Sequence, residues 1–347
     1  MIEVVSEQMR DAVSKYGYEF VNFIGFGSSS SVSLCKGKIC QQQFAIKRSN
    51  KQISPEEYNS LISLSHPNVI SLYKVFNDED YQYLVMEYCS KGTIAQQGKL
   101  APEKFIYYAK QMLEALVYCH SRDISHFNIK PENMLIDQYD HIKLCDFAVA
   151  QEFDMKKKSK DKEDFSSIVY SAPEILQHKK YVPFQTDIWA LGITFYYMAV
   201  GHLPFIMETK EETRKATVFC ELSFGNAKID PQIRFLISKM ITKNAGARPS
   251  AEKLLKFPIF QSTKYSKKIN MLASGGRKNS FGFGSSANFF LTKSSATFED
   301  ENADPFTVSD NDNQNTIPLS EVHCYRSVAI HPSILNLSTH HLLAKPI

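Results

Sequence analysis

The sequence predicts an α+β fold of two unequal lobes, a small β-rich one followed by a larger helical one. Three observations carry that expectation. Strand-like segments crowd the first part of the folded region, the apolar period then lengthens to that of helices, and the change falls at one place, near Tyr88–Gly92. The two lobes span about residues 18–90 and 91–260 and would leave a cleft between them. Of the 347 residues, 43% are hydrophobic and 22% charged, enough for a sizeable core and for one large or two modest domains.

In the small lobe, FVNFIG (Phe20–Gly25) is strand-like and VSLCKG (Val32–Gly37) alternates with period two. QFAIKR (Gln43–Arg48), VISLYKVF (Val69–Phe76) and YQYLVMEY (Tyr81–Tyr88) follow as strands, with NDED (Asn77–Asp80) as the turn between the last two. Pro55 opens a helical stretch, EEYNSLISLS, that ends before His66-Pro67. The small lobe is therefore expected to hold five strands and one helix. Pro102 then starts a helix whose apolar face is Phe105, Ala109, Met112, Leu113 and Leu116, the spacing of a 3.6-residue period. Further helices are predicted over Thr186–Val200, Pro231–Ile241 and Ala251–Lys256. Residues 1–17 read as an N-terminal extension. The tail, 261–347, is rich in Ser, Asn, Gly and Thr without a sustained apolar period, the composition of disorder. Its Phe281, Phe283, Phe289 and Phe290 could dock on a folded surface.

Several function classes are excluded by composition. The net charge, 40 − 37 = +3, is too small and too spread for a dedicated nucleic-acid binder. Seven scattered cysteines without a C-x-x-C pair argue against a disulfide framework or a zinc site and for a reducing compartment. The cytoplasm is expected, with the nucleus also compatible. The start, MIEVVSEQMR, carries acids where a secretory signal needs positive charge. The longest apolar stretch, Ile188–Val200, is shorter than the roughly 20 residues of a membrane span. No membrane span and a soluble, intracellular protein are expected.

The first chemistry-bearing segment is GFGSSSSV, Gly25–Val32, between two strands. Glycines let backbone N–H groups approach a phosphate without a Cβ in the way, and the same residues also suit a plain hairpin turn. Lys47 closes AIK on the third strand, where an ammonium could reach phosphates or simply face solvent.

The order of motifs resembles a eukaryotic protein kinase domain of the Ser/Thr type over about Tyr18–Phe260. GFGSSSSV is similar to the Gly-rich loop, with Ser30 at its third glycine, and AIK resembles VAIK. Glu57, or its neighbour Glu56, sits where the family's helix glutamate pairs that lysine. HFNIKPEN (His126–Asn133) resembles the catalytic loop, DFA (Asp146–Ala148) the metal motif, and APE (Ala172–Glu174) the end of the activation segment. DIWALG (Asp187–Gly192) and Arg248 complete the set. Lys130 is the residue of Ser/Thr-directed members, and NIKPENMLID and IKLCDFAVA are closest in style to the calcium/calmodulin-dependent and AMP-activated kinase groups.

The resemblance implies the two-lobe kinase-like fold, ATP and Mg²⁺ as cofactors, and a protein substrate or signalling partner. It implies nucleotide contacts by Gly25, Gly27, Val32, Ala45, Lys47 and Glu57, with Met86 on the deep wall and Glu87–Cys89 as the strap that bonds the base. Asn133 and Asp146 would hold the metal, and Lys130 would neutralise the γ-phosphate. Glu174 and Arg248 would form a buried ion pair, Asp187 would brace the catalytic loop, and His126 would pack and bond backbone.

The departures bear on activity. Where the family has His-Arg-Asp, this chain has His126-Phe127-Asn128, and an amide cannot take up a proton near neutral pH. Losing a general base typically costs about 10²–10⁴-fold, roughly 3–5 kcal/mol. Asn128 could still position a hydroxyl, because phosphoryl transfer depends mainly on positioning and charge neutralisation. A Ser/Thr kinase with reduced phosphotransfer and a pseudokinase scaffold that binds nucleotide both stay open. Phe127 removes the arginine that pairs with an activation-segment phosphate, and Ala148 stands where the metal motif ends in glycine. In the segment Asp146–Glu174, MKKKSKDKEDFSS reads as a solvated charge run or an acidic-partner contact. Ser167 aligns with the Ser/Thr of the substrate-docking loop, and RKNS (Arg277–Ser280) resembles a basic-directed phosphorylation site.

Overall fold

The computed structural model describes residues 2–27, 30–50, 61–78, 80–147 and 165–262. Five antiparallel strands form one sheet in the order β1-β2-β3-β5-β4: β1 Tyr18–Phe26, β2 Ser30–Gly37, β3 Gln43–Ser49, β4 Leu72–Asn77 and β5 Gln82–Glu87. Cross-strand partners share a face, and so do residues two apart. Val32 pairs with Lys47, Leu34 with Ala45, Ala45 with Met86 and Lys47 with Leu84, so all of these point to one side. On the other side stand Cys35, Ile46, Phe76, Tyr83 and Val85, all buried.

What buries that second side is a helix within the N-terminal extension, where the sequence predicts none. α1 (Ile2–Lys15) sets Met9, Ala12 and Val13 into one cluster with Cys35, Ile46, Phe76, Tyr83 and Val85. Tyr16 continues the stripe by stacking on Phe76 at 3.9 Å, and Phe76 stacks on Tyr83 at 4.9 Å. The junction is pinned by Tyr16 Oη donating to the Asn77 carbonyl at 3.0 Å and Lys38 Nζ donating to Ser14 Oγ at 2.7 Å. Fully burying a side chain such as Met or Val contributes roughly 1.5–3 kcal/mol, which is what holds a helix of this length in place.

The fourth strand begins later than predicted. Val69 and Ile70 leave the small-lobe sheet and pair instead with the large lobe: Val69 bridges Leu144, and Ile70 N–H donates to the Leu144 carbonyl at 2.9 Å. Asn68 ties the same crossing, its side-chain amide donating to the Ile142 carbonyl at 2.9 Å and to Gln111 at 2.8 Å.

The large lobe is built on α2 (Pro102–His120), α4 (Pro183–Val200), α6 (Pro231–Met240) and α7 (Ala251–Leu255), with α3 (Phe165–Tyr170) and α5 (Lys210–Phe219) between them. The predicted α2 face is buried throughout. α4 is apolar nearly all round, as a central helix must be. α5 is additional to the helices predicted from sequence, and Thr209-Lys-Glu-Glu212 spells its capping box, in which Thr209 and Glu212 satisfy each other's backbone N–H groups. Together the sheet and the helical core make the two-lobe α+β fold. No helix of the described residues is long and apolar enough to cross a membrane. Glu56 and Glu57, Ala148, the lysine run, and the tail with its Phe residues and RKNS lie outside the described residues.

Candidate functional site

The open side of the small-lobe sheet gathers the residues implicated from sequence. Val32, Lys47, Leu84 and Met86 stay half-buried there, while their neighbours on the α1 side are sealed. At the β1–β2 tip, Gly27 N–H donates to the Ser30 carbonyl at 2.7 Å, and a Cβ on Gly27 would stand 2.9 Å from Ser30 Oγ. Gly25 pairs with Val32 just before that tip. The bond observed at this tip is that of a hairpin, with the Gly27 N–H spent on the Ser30 carbonyl.

Met86 and Glu87 end β5 where the chain leaves the sheet. The Glu87 carboxylate is committed, with Oε1 on Lys143 Nζ at 2.8 Å. Cys89 is buried, and burial pushes its thiol up to about 12, so it stays protonated and inert. The strap then joins the large lobe through Lys91 N–H to the Ile136 carbonyl at 3.0 Å and Ile136 N–H to the Gly92 carbonyl at 2.8 Å.

A two-stranded hairpin forms the floor. β6 (Met134–Ile136) and β7 (Ile142–Leu144) pair with Met134 opposite Leu144. The turn is held by Asp137 Oδ1, which accepts from the Tyr139 and His141 N–H groups at 2.8 Å each. Asn133 precedes β6 and Asp146 follows β7. Cys145 N–H donates to the Asn133 carbonyl at 3.0 Å, which sets the two predicted metal residues side by side.

Lys47 crosses from the sheet to this floor and forms an ion pair with Asp146 Oδ1. Burial raises the Asp146 carboxyl, but Lys47 and its hydrogen bond, with Lys130, outweigh that and hold it below the usual carboxylate value. Asn128 Nδ2 donates to Asp146 Oδ2 at 2.9 Å and reaches the Asp146 carbonyl at 3.4 Å. Asn133 Nδ2 in turn donates to the Asn128 carbonyl at 2.8 Å. Lys47, Asn128, Asn133 and Asp146 therefore form one connected group, and Lys130 contributes positive charge to it. An amide oxygen on Asn133 and the Asp146 carboxylate make the hard oxygen donor set that suits Mg²⁺.

The loop carrying Asn128 is held from below. Asp187, 1% exposed, accepts from His126 N–H at 2.8 Å and Phe127 N–H at 2.9 Å, and its Oδ2 lies 2.9 Å from His120 Nε2. His126 uses both ring nitrogens on backbone, Nε2 against the Cys145 carbonyl at 3.0 Å and Nδ1 accepting from Asn128 N–H at 3.2 Å. Burial lowers its pKa, so the imidazole is neutral, as that donor–acceptor pattern requires. Phe127 and Asp146 both adopt left-handed backbone, with φ of 59° and 60°. Non-glycine residues accept such angles where the surroundings over-determine them.

Deeper in the lobe, Arg248 grips Glu174 with two bonds of 2.7 and 2.8 Å, both residues being buried. Ser167, read as part of a docking loop, lies in α3, whose Ile168 and Val169 are buried. Glu132 was not singled out from sequence. Its Oε2 is buried without a hydrogen-bond partner among the described residues, and only its place in Pro131-Glu132-Asn133 could flag it.

Residues 18–260 match the protein kinase domain family. The chain is 33% identical over 279 residues to calcium-dependent protein kinase 6 of Plasmodium berghei, which covers 76% of this chain and 18% of that protein. It is 33% identical over 235 residues to an Aurora kinase of Eremothecium gossypii, covering 67% of this chain and 63% of that protein. Over 271 residues it is 29% identical to CBL-interacting serine/threonine-protein kinase 2 of Arabidopsis thaliana, covering 73% and 58%. The chain spans less than two thirds of the length of each of these relatives.

Proposed function

Because the chain belongs to the protein kinase family, we propose that it binds ATP with Mg²⁺ between its lobes and transfers the γ-phosphate to protein Ser/Thr hydroxyls, at a rate reduced by Asn128. The observation that carries the reading is the Lys47–Asp146 ion pair across the cleft, beside Asn133 and Lys130. Lys47 orients the α- and β-phosphates, and the family resemblance implies a pairing role for Glu57, which lies outside the described residues. Gly25, Gly27, Val32, Ala45, Met86 and the Glu87–Cys89 strap enclose the nucleotide. Asn133 and Asp146 hold the metal, which when bound neutralises phosphate charge. Lys130 meets the γ-phosphate. Asn128 Oδ1 can accept a hydrogen bond from the substrate hydroxyl and hold it in line, but it cannot remove the proton. The reading places the protein in the cytoplasm or nucleus, acting on a protein substrate.

A second reading, a pseudokinase that binds nucleotide as a signalling scaffold, is favoured by one observation: the Asn128 amide is already engaged with Asp146. Radiolabelled phosphotransfer by the wild type, Asn128→Asp and Lys47→Ala separates the two. Slow wild-type transfer that Lys47→Ala abolishes and that Asn128→Asp raises about 10²–10⁴-fold supports the enzyme. Nucleotide binding with no transfer by the wild type supports the scaffold.

A further inference from the structure

Asp146 is gripped on both carboxylate oxygens by groups of the protein itself. Lys47 Nζ takes Oδ1 and Asn128 Nδ2 takes Oδ2 at 2.9 Å, with a second reach to the Asp146 carbonyl at 3.4 Å. The donor is itself fixed, since Asn133 Nδ2 holds the Asn128 carbonyl at 2.8 Å and His126 Nδ1 accepts from the Asn128 N–H at 3.2 Å. An aspartate at position 128 could make neither side-chain contact. It has no N–H to give, and two carboxylates this close disfavour each other unless a cation or proton stands between them. The amide removes the repulsion and supplies a charge-assisted hydrogen bond in its place. It also leaves the cleft less negative for a triphosphate to enter.

We propose that Asn128 is a positioning residue that holds the Asp146 carboxylate in its cleft-facing pose, a task otherwise left to a divalent cation, so that nucleotide binds this protein with little dependence on Mg²⁺. The inference rests on the nucleotide-binding reading above and specifies how that site is regulated by metal.

The test is the affinity of the full chain for ATP by calorimetry, in excess Mg²⁺ and in EDTA, for the wild type, Asn128→Ala and Asn128→Asp. The ratio of the two dissociation constants is the readout, because a general loss of folded protein cancels from it. A charge-assisted hydrogen bond of ordinary strength corresponds to about tenfold in binding. The wild-type ratio is expected within about threefold, that of Asn128→Asp beyond about tenfold, and that of Asn128→Ala between them. A wild type that loses about tenfold or more in EDTA, or variants whose ratios equal the wild type's, overturns the proposal and leaves nucleotide binding standing. Wild-type protein that takes up no ATP in either buffer overturns the nucleotide-binding reading and the proposal together.

Discussion

In the large lobe Arg248 and Glu174 meet as a buried, doubly bonded pair, and Asp187 satisfies two loop N–H groups from beneath. In the small lobe the corresponding work falls to ring stacking and to α1, which covers the back of the sheet with Met9, Ala12, Val13 and Tyr16. The difference teaches that the two halves of the site are secured by different physics. The loop carrying Asn128 sits on a charged, directional brace that fixes backbone atoms individually. Lys47 rides on a thin sheet that must find enough apolar burial, and it finds it in a helix N-terminal to the matched kinase domain.

Breaking the charged brace should have the largest effect. Arg248→Ala leaves the Glu174 carboxylate buried and uncompensated, and it also releases the Thr242 and Gln185 carbonyls that the guanidinium holds at 2.8 and 2.9 Å. A loss of about 3–5 kcal/mol in chemical unfolding is expected. A loss under about 1 kcal/mol, as for an exposed pair, would remove the contrast between the lobes.

The small lobe should give way more gently. Met9→Ala removes a fully buried side chain from the α1–sheet cluster. The expected cost is about 2 kcal/mol, at the lower end for such a truncation, because a surface helix can settle into part of the space. ATP affinity should fall with it if α1 supports the strand carrying Lys47. A neutral Met9→Ala would show that the sheet stands without α1.

The smallest effect sharpens the comparison through pH. His126 is fully buried and its pKa lies below the ordinary 6.5 because burial disfavours the charged ring. The unfolded chain therefore takes up the proton more readily than the folded one. Stability contributed by the neutral ring is complete above about pH 6.5 and declines as pH falls below it. His66, which bonds the chain between the lobes, acts in the same direction. His126→Gln should flatten the acid limb of a stability–pH curve between pH 7 and 5. An unchanged slope would mean that the ring is not shielded as its contacts imply.

Much of the fold was legible because helix and strand periods differ and because cleft motifs come in a set order. The face of α2 and the α4 and α6 helices follow from the apolar period, and the partnership of Glu174 with Arg248 from the family resemblance. α1 is not legible in the sequence although Met9, Ala12, Val13 and Tyr16 have helical spacing. A short apolar stripe between charged residues has no meaning until a complementary sheet face is known. Val69 and Ile70 read as strand because they are β-branched, and they do pair as strand, but with the other lobe. Propensity reports the conformation of a segment and says nothing of its partner.

By itself the amino-acid order determined the residue types available to the cleft: a lysine on β3, asparagines at 128 and 133 and a carboxylate at 146. Residue type fixes which protons and charges a position can offer, and the roles in nucleotide and metal binding are what the resemblance to protein kinases implies. Only the tertiary structure decided that the Asn128 amide turns onto Asp146 and that Lys47 takes the opposite oxygen. A hydrogen bond between groups far apart in the chain depends on distances of a few tenths of an ångström, and those are set by packing and backbone angles such as the left-handed turn at Phe127.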